Sequence, residues 1–319
     1  MISPYMARLL LLSLACFFLV NLAASAVIGV LLRPALRVAS RRMPPDAARL
    51  MLGLRMFPAA AALVAVGAFC VPSYFWLEPD GGFEAVGFWC MAAASLGATI
   101  CVTAVFRTLR AFIRSYRAVN EWRKSASRMK VAGQDCLITA EQGALIALAG
   151  FVRSRLVVSE AVVSALSRDE LDAAIRHECA HGASRDNIKR LLALLAPDPV
   201  PFLRPFSVLD RGWTMFSEWA ADDAAVAGDA RRSLSLAAAL VRVARLSAER
   251  QPALASALIP EQRCVAARVE RLLSPAPPCA ASGRRGRLAL AATIVCGAAV
   301  LFAPAMLKSA HAVLEQLMR

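Results

Sequence analysis

Four stretches of this 319-residue chain, 9–32, 56–77, 85–106 and 288–307, carry no charged side chain. Each is 20 residues or longer, and about 20 helical residues are what a hydrocarbon core of roughly 30 Å requires. A buried helix in a soluble core is a poor account of one such run and a worse account of four. The prolines inside the runs, Pro58, Pro72 and Pro304, are tolerated in membrane helices. A hydrophobic content of 58% agrees, since soluble domains run at about 45–50%. Within the first run Ala24-Ser25-Ala26 has the small-residue pattern of a signal-peptidase site. The run nevertheless continues to Leu32 and meets a cationic segment, so it reads as a retained helix.

Charge orients the runs. The chain has 37 Lys+Arg against 23 Asp+Glu, a formal +14. Segment 33–55 holds six arginines and one acid, Asp46, whereas 78–84 holds only Glu78, Asp80 and Glu84. Beyond the third run come Arg107, Arg110, Arg114, Arg117, Arg123 and Lys124, and Arg284, Arg285 and Arg287 lead into the fourth. Lys and Arg accumulate on the cytoplasmic side of spanning helices. The pattern therefore predicts both termini outside and the long stretch 107–287 in the cytoplasm of a bacterial cell, anchored in its inner membrane. Much of the basic charge is thus topology, which removes the main support for direct nucleic-acid binding. The residual basic face of 107–287 suits anionic lipid. No disulfide is expected, because Cys136, Cys179, Cys264 and Cys279 face a reducing compartment.

The stretch 107–287 is long enough for one core. Its basic start, 107–130, with Phe112, Ile113, Tyr116, Val119 and Trp122 at helical spacing, suits a helix continuing out of the membrane. Short strands are predicted at 136–140, 144–151 and 155–159, and helices from Ser167 onward, at about 211–227, 233–250 and 261–273.

The chemistry is concentrated in one segment. Ser167-Arg-Asp-Glu170 is a capping box that starts a helix. Ten residues on stands His177-Glu178-Cys179-Ala180-His181. At 3.6 residues per turn the two imidazoles share a face and can share a tetrahedral metal, and Glu178, about 100° away, can reach a water beside the ion without binding it. This is the zinc-peptidase motif, with Glu178 as general base. The chain has three histidines, and His311 lies beyond the fourth run, so a carboxylate must complete the metal site. Glu218, in Glu218-Trp-Ala-Ala-Asp222-Asp223, is the best candidate. Asp222, at i+4 on the same face, is placed to accept an imidazole N–H. Cys179 reads as a packing residue. For the oxyanion, Tyr5 and Tyr74 lie outside the domain and Tyr116 near the membrane face, which leaves Arg231 or Arg232 as weak candidates. Substrate backbone is expected to pair with an edge strand near Val157–Val158.

His177-Glu-Cys-Ala-His181, then Arg185-Asp186-Asn187, Leu191-Leu192 and Glu218-x-x-Ala-Asp222 resemble the BlaR/MecR-type integral-membrane zinc metallopeptidases, which are HExxH gluzincins. Arg155–Ser159 and Arg268-Val-Glu-Arg-Leu-Leu273 are similar to that family's flanking segments. The related HtpX and CAAX-prenyl-protease group shares HExxH and Glu-x-x-Ala-Asp; Arg-Asp-Asn and the three-plus-one membrane layout favour the first. The sensor members carry a penicillin-binding domain after the fourth helix. Ser127-Arg-Met-Lys130 is a chance match to its nucleophile motif on the cytoplasmic side, so covalent β-lactam binding is not expected.

The expectation is a membrane α-helical protein with four transmembrane helices and a cytoplasmic α+β zincin-like metallopeptidase domain. Residues 1–106 would hold three helices and the cytoplasmic loop 33–55, 107–287 the peptidase, and 288–319 the fourth helix and outer tail. One Zn²⁺ would be held by His177, His181 and Glu218, with Asp222 behind an imidazole and Glu178 as base. The resemblance implies a cytoplasmic protein substrate of transcriptional-repressor type. The alternatives are membrane-protein quality control, as in the HtpX and CAAX-protease group, and a non-catalytic membrane scaffold.

Overall fold

A computed structural model describes residues 4–77, 86–131, 133–140, 143–151, 154–199, 204–249 and 258–274. The expected fourth run, 288–307, and the basic segment before it lie outside these residues. The first three runs are helical. Helix α1 spans Pro4–Ala39. The second run continues α2, Pro44–Ala65, through a π-helical turn, Val66–Cys70, into α3, Val71–Leu77. Helix α4 spans Phe88–Ser125. Three helical stretches, Tyr5–Ala39, Pro44–Trp76 and Phe88–Lys124, are long and apolar enough to cross a membrane. They pack on one another through Leu12, Phe17, Phe18, Tyr74, Cys90, Ala93 and Ala94. Gly97 is needed at the α1–α4 crossing, because a Cβ there would stand 2.4 Å from the Leu14 carbonyl oxygen.

Helix α4 ends earlier than its basic pattern suggested. The backbone turns extended at Ala126, and Ser127–Val131 is strand β1, so Ser127 and Lys130 stand on a strand rather than a helix. Strands β2, Gln134–Thr139, β3, Ile146–Ala149, and β4, Arg155–Ser159, complete a sheet in the order β1-β2-β4-β3. Only β2 and β4 run parallel. One face of the sheet, with Cys136, Ile138, Leu156 and Val158, closes on Val162, Leu171, Ala174 and Ile175. The last three belong to α6, Arg168–Ser184, which follows the short α5, Glu160–Ala165.

Helix α7, Asp186–Leu195, follows α6 after one residue, Arg185, in the left-handed region at φ 57°. Helices α8, Arg204–Val226, α9, Ala230–Glu249, and α10, Leu258–Leu273, complete the domain. Helix α8 joins the two parts of the molecule. Its Phe206, Leu209, Trp213 and Phe216 pack on Ile28 and Ala39 of α1 and on Ala47 and Met51 of α2, and its C-terminal half reaches α6.

One expectation is corrected. Val157 and Val158 are not at an edge: β4 pairs with β2 on one side and β3 on the other, and both valines are buried. Their β-branched side chains suit an interior strand. The edge beside α6 is β3, the four-residue stretch Ile-Ala-Leu-Ala.

Candidate metal centre

Helix α6 begins where a reciprocal cap satisfies its first amides. The Ser167 hydroxyl accepts from the Glu170 N–H, and the Glu170 carboxylate accepts from the Ser167 N–H at 2.8 Å. The helix then carries His177 and His181 on one face with Nε2 atoms 3.2 Å apart. Glu218 of α8 lies across from them, its Oε2 3.4 Å from His177 Nε2 and its Oε1 3.5 Å from His181 Nε2. One ligand atom from each of the three residues lies within 4.8 Å of the others, a group that could hold a metal ion.

The far nitrogen of each ring is also engaged. His177 Nδ1 is 2.9 Å from Asp222 Oδ1, and His181 Nδ1 is 2.8 Å from Asp186 Oδ2. In a neutral ring, a carboxylate at Nδ1 draws the one proton there and leaves the Nε2 lone pair facing inward. Asp186, the first residue of α7, also accepts from Ser217 Oγ at 2.7 Å and Lys189 Nζ at 2.8 Å. Asp222 is fully buried and takes both Nε and Nη2 of Arg268, at 2.9 and 2.6 Å. Arg268 Nη1 reaches Glu218 Oε2 at 3.0 Å.

These contacts set the charge preferences of the side chains. Burial opposes ionisation of Glu218, but hydrogen bonds from both histidines and the nearby Arg268 hold its carboxyl well below the usual range. Asp222 and Asp186 are likewise held low against burial, by His177 and Arg268 and by His181, Lys189 and Ser217 respectively. Burial pulls both imidazoles down, yet the bonded carboxylates outweigh it: His177 ends above its ordinary value and His181 is pushed up to about 9. Glu178 moves the other way. Its burial raises its pKa, against the nearby histidines and one hydrogen bond from the Leu148 N–H at 3.1 Å.

The donor set fits zinc. Two imidazole nitrogens and a carboxylate are ligand types that zinc takes; the two Nε2 atoms stand 3.2 Å apart, and each ring meets its own oxygen of Glu218, Oε2 for His177 and Oε1 for His181. A cleft of about 530 Å³ opens over the group. One side is Ile146 and Leu148 of β3; another is apolar, with Leu236, Leu240, Val243 and Val265. Asn187 braces β3 by donating to the Leu148 and Gly150 carbonyls at 2.8 and 3.0 Å.

The structure brings together His177, Glu178, His181, Glu218 and Asp222. Cys179 packs against the sheet-facing core. Arg231 and Arg232 are not in the cleft: both backbone amides bond to Asp229 at the start of α9. The guanidinium groups lining the cleft are Arg190 and Arg268, and neither was singled out from sequence. Arg268 is 46 residues from Asp222 and 50 from Glu218, beyond any local spacing rule. Arg190 lies four residues after Asp186 on a helix whose polar face could have marked it.

Residues 119–242 match the model of Peptidase family M48. That segment runs from the end of α4 into α9; it contains the two histidines, Glu178, Glu218 and Asp222 and stops before Arg268. Neither the curated proteins nor the solved structures yield a match to this chain.

Proposed function

We propose that this chain, which joins a Peptidase family M48 domain to three helices apolar and long enough to span a membrane, is a membrane-anchored zinc-dependent endopeptidase that cuts a cytoplasmic protein of regulatory, repressor type. The observation that carries the reading is the convergence of His177, His181 and Glu218, with one ligand atom from each within 4.8 Å of the others, and the buried Glu178 beside them. The zinc would be one ion on those three residues. When bound, it polarises the peptide carbonyl and makes an adjacent water acidic enough to attack near neutral pH.

The chain's own groups do the rest. Glu178, raised by burial, accepts the proton the attacking water loses and returns it to the leaving amine nitrogen. Asp222 and Asp186 keep the two imidazoles turned inward, and Arg268 neutralises Asp222 and Glu218. The outer edge of β3 offers backbone pairing to an extended substrate. Leu148 already spends its outward N–H and C=O on Glu178 and Asn187, so the outward groups of Ile146, two residues away, are the free pair. Arg190, at the outer rim, is placed to meet carbonyl charge.

The alternation of Lys and Arg along the chain supports a cytoplasmic domain, with both termini outside. The apolar cleft wall favours a second reading, turnover of membrane proteins, while a scaffold would have no use for a buried Glu178. A comparison of cellular proteomes with wild type and Glu178→Gln separates these. Stabilisation of one repressor-like protein supports the regulatory reading. Broad accumulation of membrane proteins supports turnover, and no change contradicts both.

A further inference from the structure

Helix α7 turns its polar side to the metal centre and its apolar side away from it. Asp186 and Arg190 face the centre and the cleft. Leu195 lies about 180° around the axis from Asp186 and about 140° from Arg190. Leu192 and Leu195 are 46% and 44% exposed, although α7 also packs against α4.

The end of α7 is held by side chains of the apolar helices. Arg55 of α2, itself buried, donates to the Ala193 and Ala196 carbonyls at 3.2 and 3.3 Å and pairs with Asp198 at 2.8 Å. Asn21 of α1, fully buried, donates to the Pro197 carbonyl at 3.1 Å. A helix ends with carbonyls that have no partner within the helix. In water, solvent satisfies them; at membrane depth protein groups must. Asn21 stands at the middle of the uncharged run 9–32, eleven residues before its cytoplasmic end, or roughly 16 Å along the helix. A turn of the peptidase domain therefore reaches the level of the hydrocarbon.

We propose that the outer face of α7, at Leu192 and Leu195, is a bilayer-contacting element covered by lipid acyl chains. The occupant is lipid because the end of α7 is bonded to Asn21 and Arg55 of the apolar helices α1 and α2 and α7 packs against α4, whose Phe106, Leu109, Phe112 and Tyr116 are themselves exposed. The basic residues among them, Arg107, Arg110 and Arg114, suit the headgroup level. The consequence is that α7 seats the metal cleft at the membrane surface, its Leu face in lipid and its Asp186–Arg190 face in the site. This rests on the membrane placement of α1 to α4 in the reading above and is independent of the zinc chemistry.

The test is photo-crosslinking of the full-length protein in phosphatidylethanolamine–phosphatidylglycerol vesicles. A diazirine amino acid is placed at position 192, 195, 30 or 234, and lipid adducts are read by mass spectrometry. Val30 of α1 and Leu234 of α9 are exposed apolar references, at 79% and 60%. Lipid adducts at 192 and 195 comparable to those at 30, and their loss at 234, are expected. Adducts at 30 with none at 192 and 195 overturn the proposal while leaving the membrane reading intact. Equal labelling at 234, or protein–protein products in place of lipid adducts, also overturns it. An unlabelled position 30 removes the membrane reading and the proposal with it.

Discussion

Each imidazole of the candidate metal centre is held between a carboxylate at Nδ1 and a shared acceptor at Nε2. Glu218 serves both rings, Asp222 turns His177 and Asp186 turns His181. Arg268 closes the arrangement by pairing with Asp222 and Glu218 while nearly excluded from solvent. Removing one partner of a buried pair leaves an uncompensated charge, at about 3–5 kcal/mol. Arg268→Ala should therefore lower unfolding free energy by about that amount in denaturant titration, whereas truncating Arg176, whose pair with Asp172 lies in solvent, should leave it nearly unchanged. The pH dependence follows from His181. Its proton is held more tightly folded than unfolded, up to about 9 against 6.5, so the stabilisation is complete below 6.5 and lost as pH rises to about 9. Metal-free protein should show a falling Tm across that interval. Zinc needs the neutral ring, so saturating zinc should remove or reverse the fall; a metal-free Tm that rises from pH 6.5 to 9 would contradict this assignment. At this scale the spatial grouping of His177, Glu178, His181 and Glu218 was legible from spacing and from the scarcity of histidine; their roles remain those proposed above. Asp222 followed from its i+4 position. Asp186 stood in a quoted motif without a role, and Arg268 was invisible as a partner because tertiary folding alone brings it 46 residues back to Asp222.

Among the elements, α6 is the one whose start and chemistry were both readable. The capping box gives it a defined beginning; Ile175, in the core beneath the sheet, lies about 160° around the helix from His177, while Ala174 lines the cleft beside the histidines. Ser167→Ala should remove about 1 kcal/mol of stability, seen as a lower denaturation midpoint with unchanged zinc stoichiometry, since the cap lies ten residues from His177. The strands were placed to within two or three residues, but their order was not. Arg-Leu-Val-Val-Ser and Ile-Ala-Leu-Ala are both short apolar runs, and nothing local says which has a neighbour on each side. The end of α4 was misread for a related reason. Its basic residues continue through Arg128 and Lys130 at spacings a helix could keep, and only pairing with β2 draws Ser127–Val131 into a strand.

In the whole molecule, the peptidase domain is fastened to the apolar helices rather than hung from them. Arg55 lies at the centre of that junction, paired with Asp198 and Asp210, bonded to two carbonyls and set over the Phe206 ring at 5.0 Å. Asp210 is two turns before Glu218 on α8, so the junction and the metal group share one rigid helix. Arg55→Leu should destabilise the protein by about 3 kcal/mol, the low end for a broken buried pair because Asp210 is half exposed. Limited proteolysis should then cut first within 196–199. Unchanged thermal stability and cleavage pattern would show that the junction is not fastened this way. Uncharged runs made the three described helices legible, yet the same runs hid the docking of the domain on them. Arg55 and Asn21 looked like an orientation charge and a lone amide until their partners, far along the chain, were known.

The proposed chemistry stands or falls on the metal. Zinc per chain, measured by mass spectrometry of the detergent-purified full-length protein beside His181→Ala, Glu218→Ala and Glu178→Gln, is the direct test. One ion in wild type, retained in Glu178→Gln and lost from the two ligand variants, is the predicted result. Wild-type protein that binds no zinc when zinc is supplied, or ligand variants that keep a full equivalent, would contradict it.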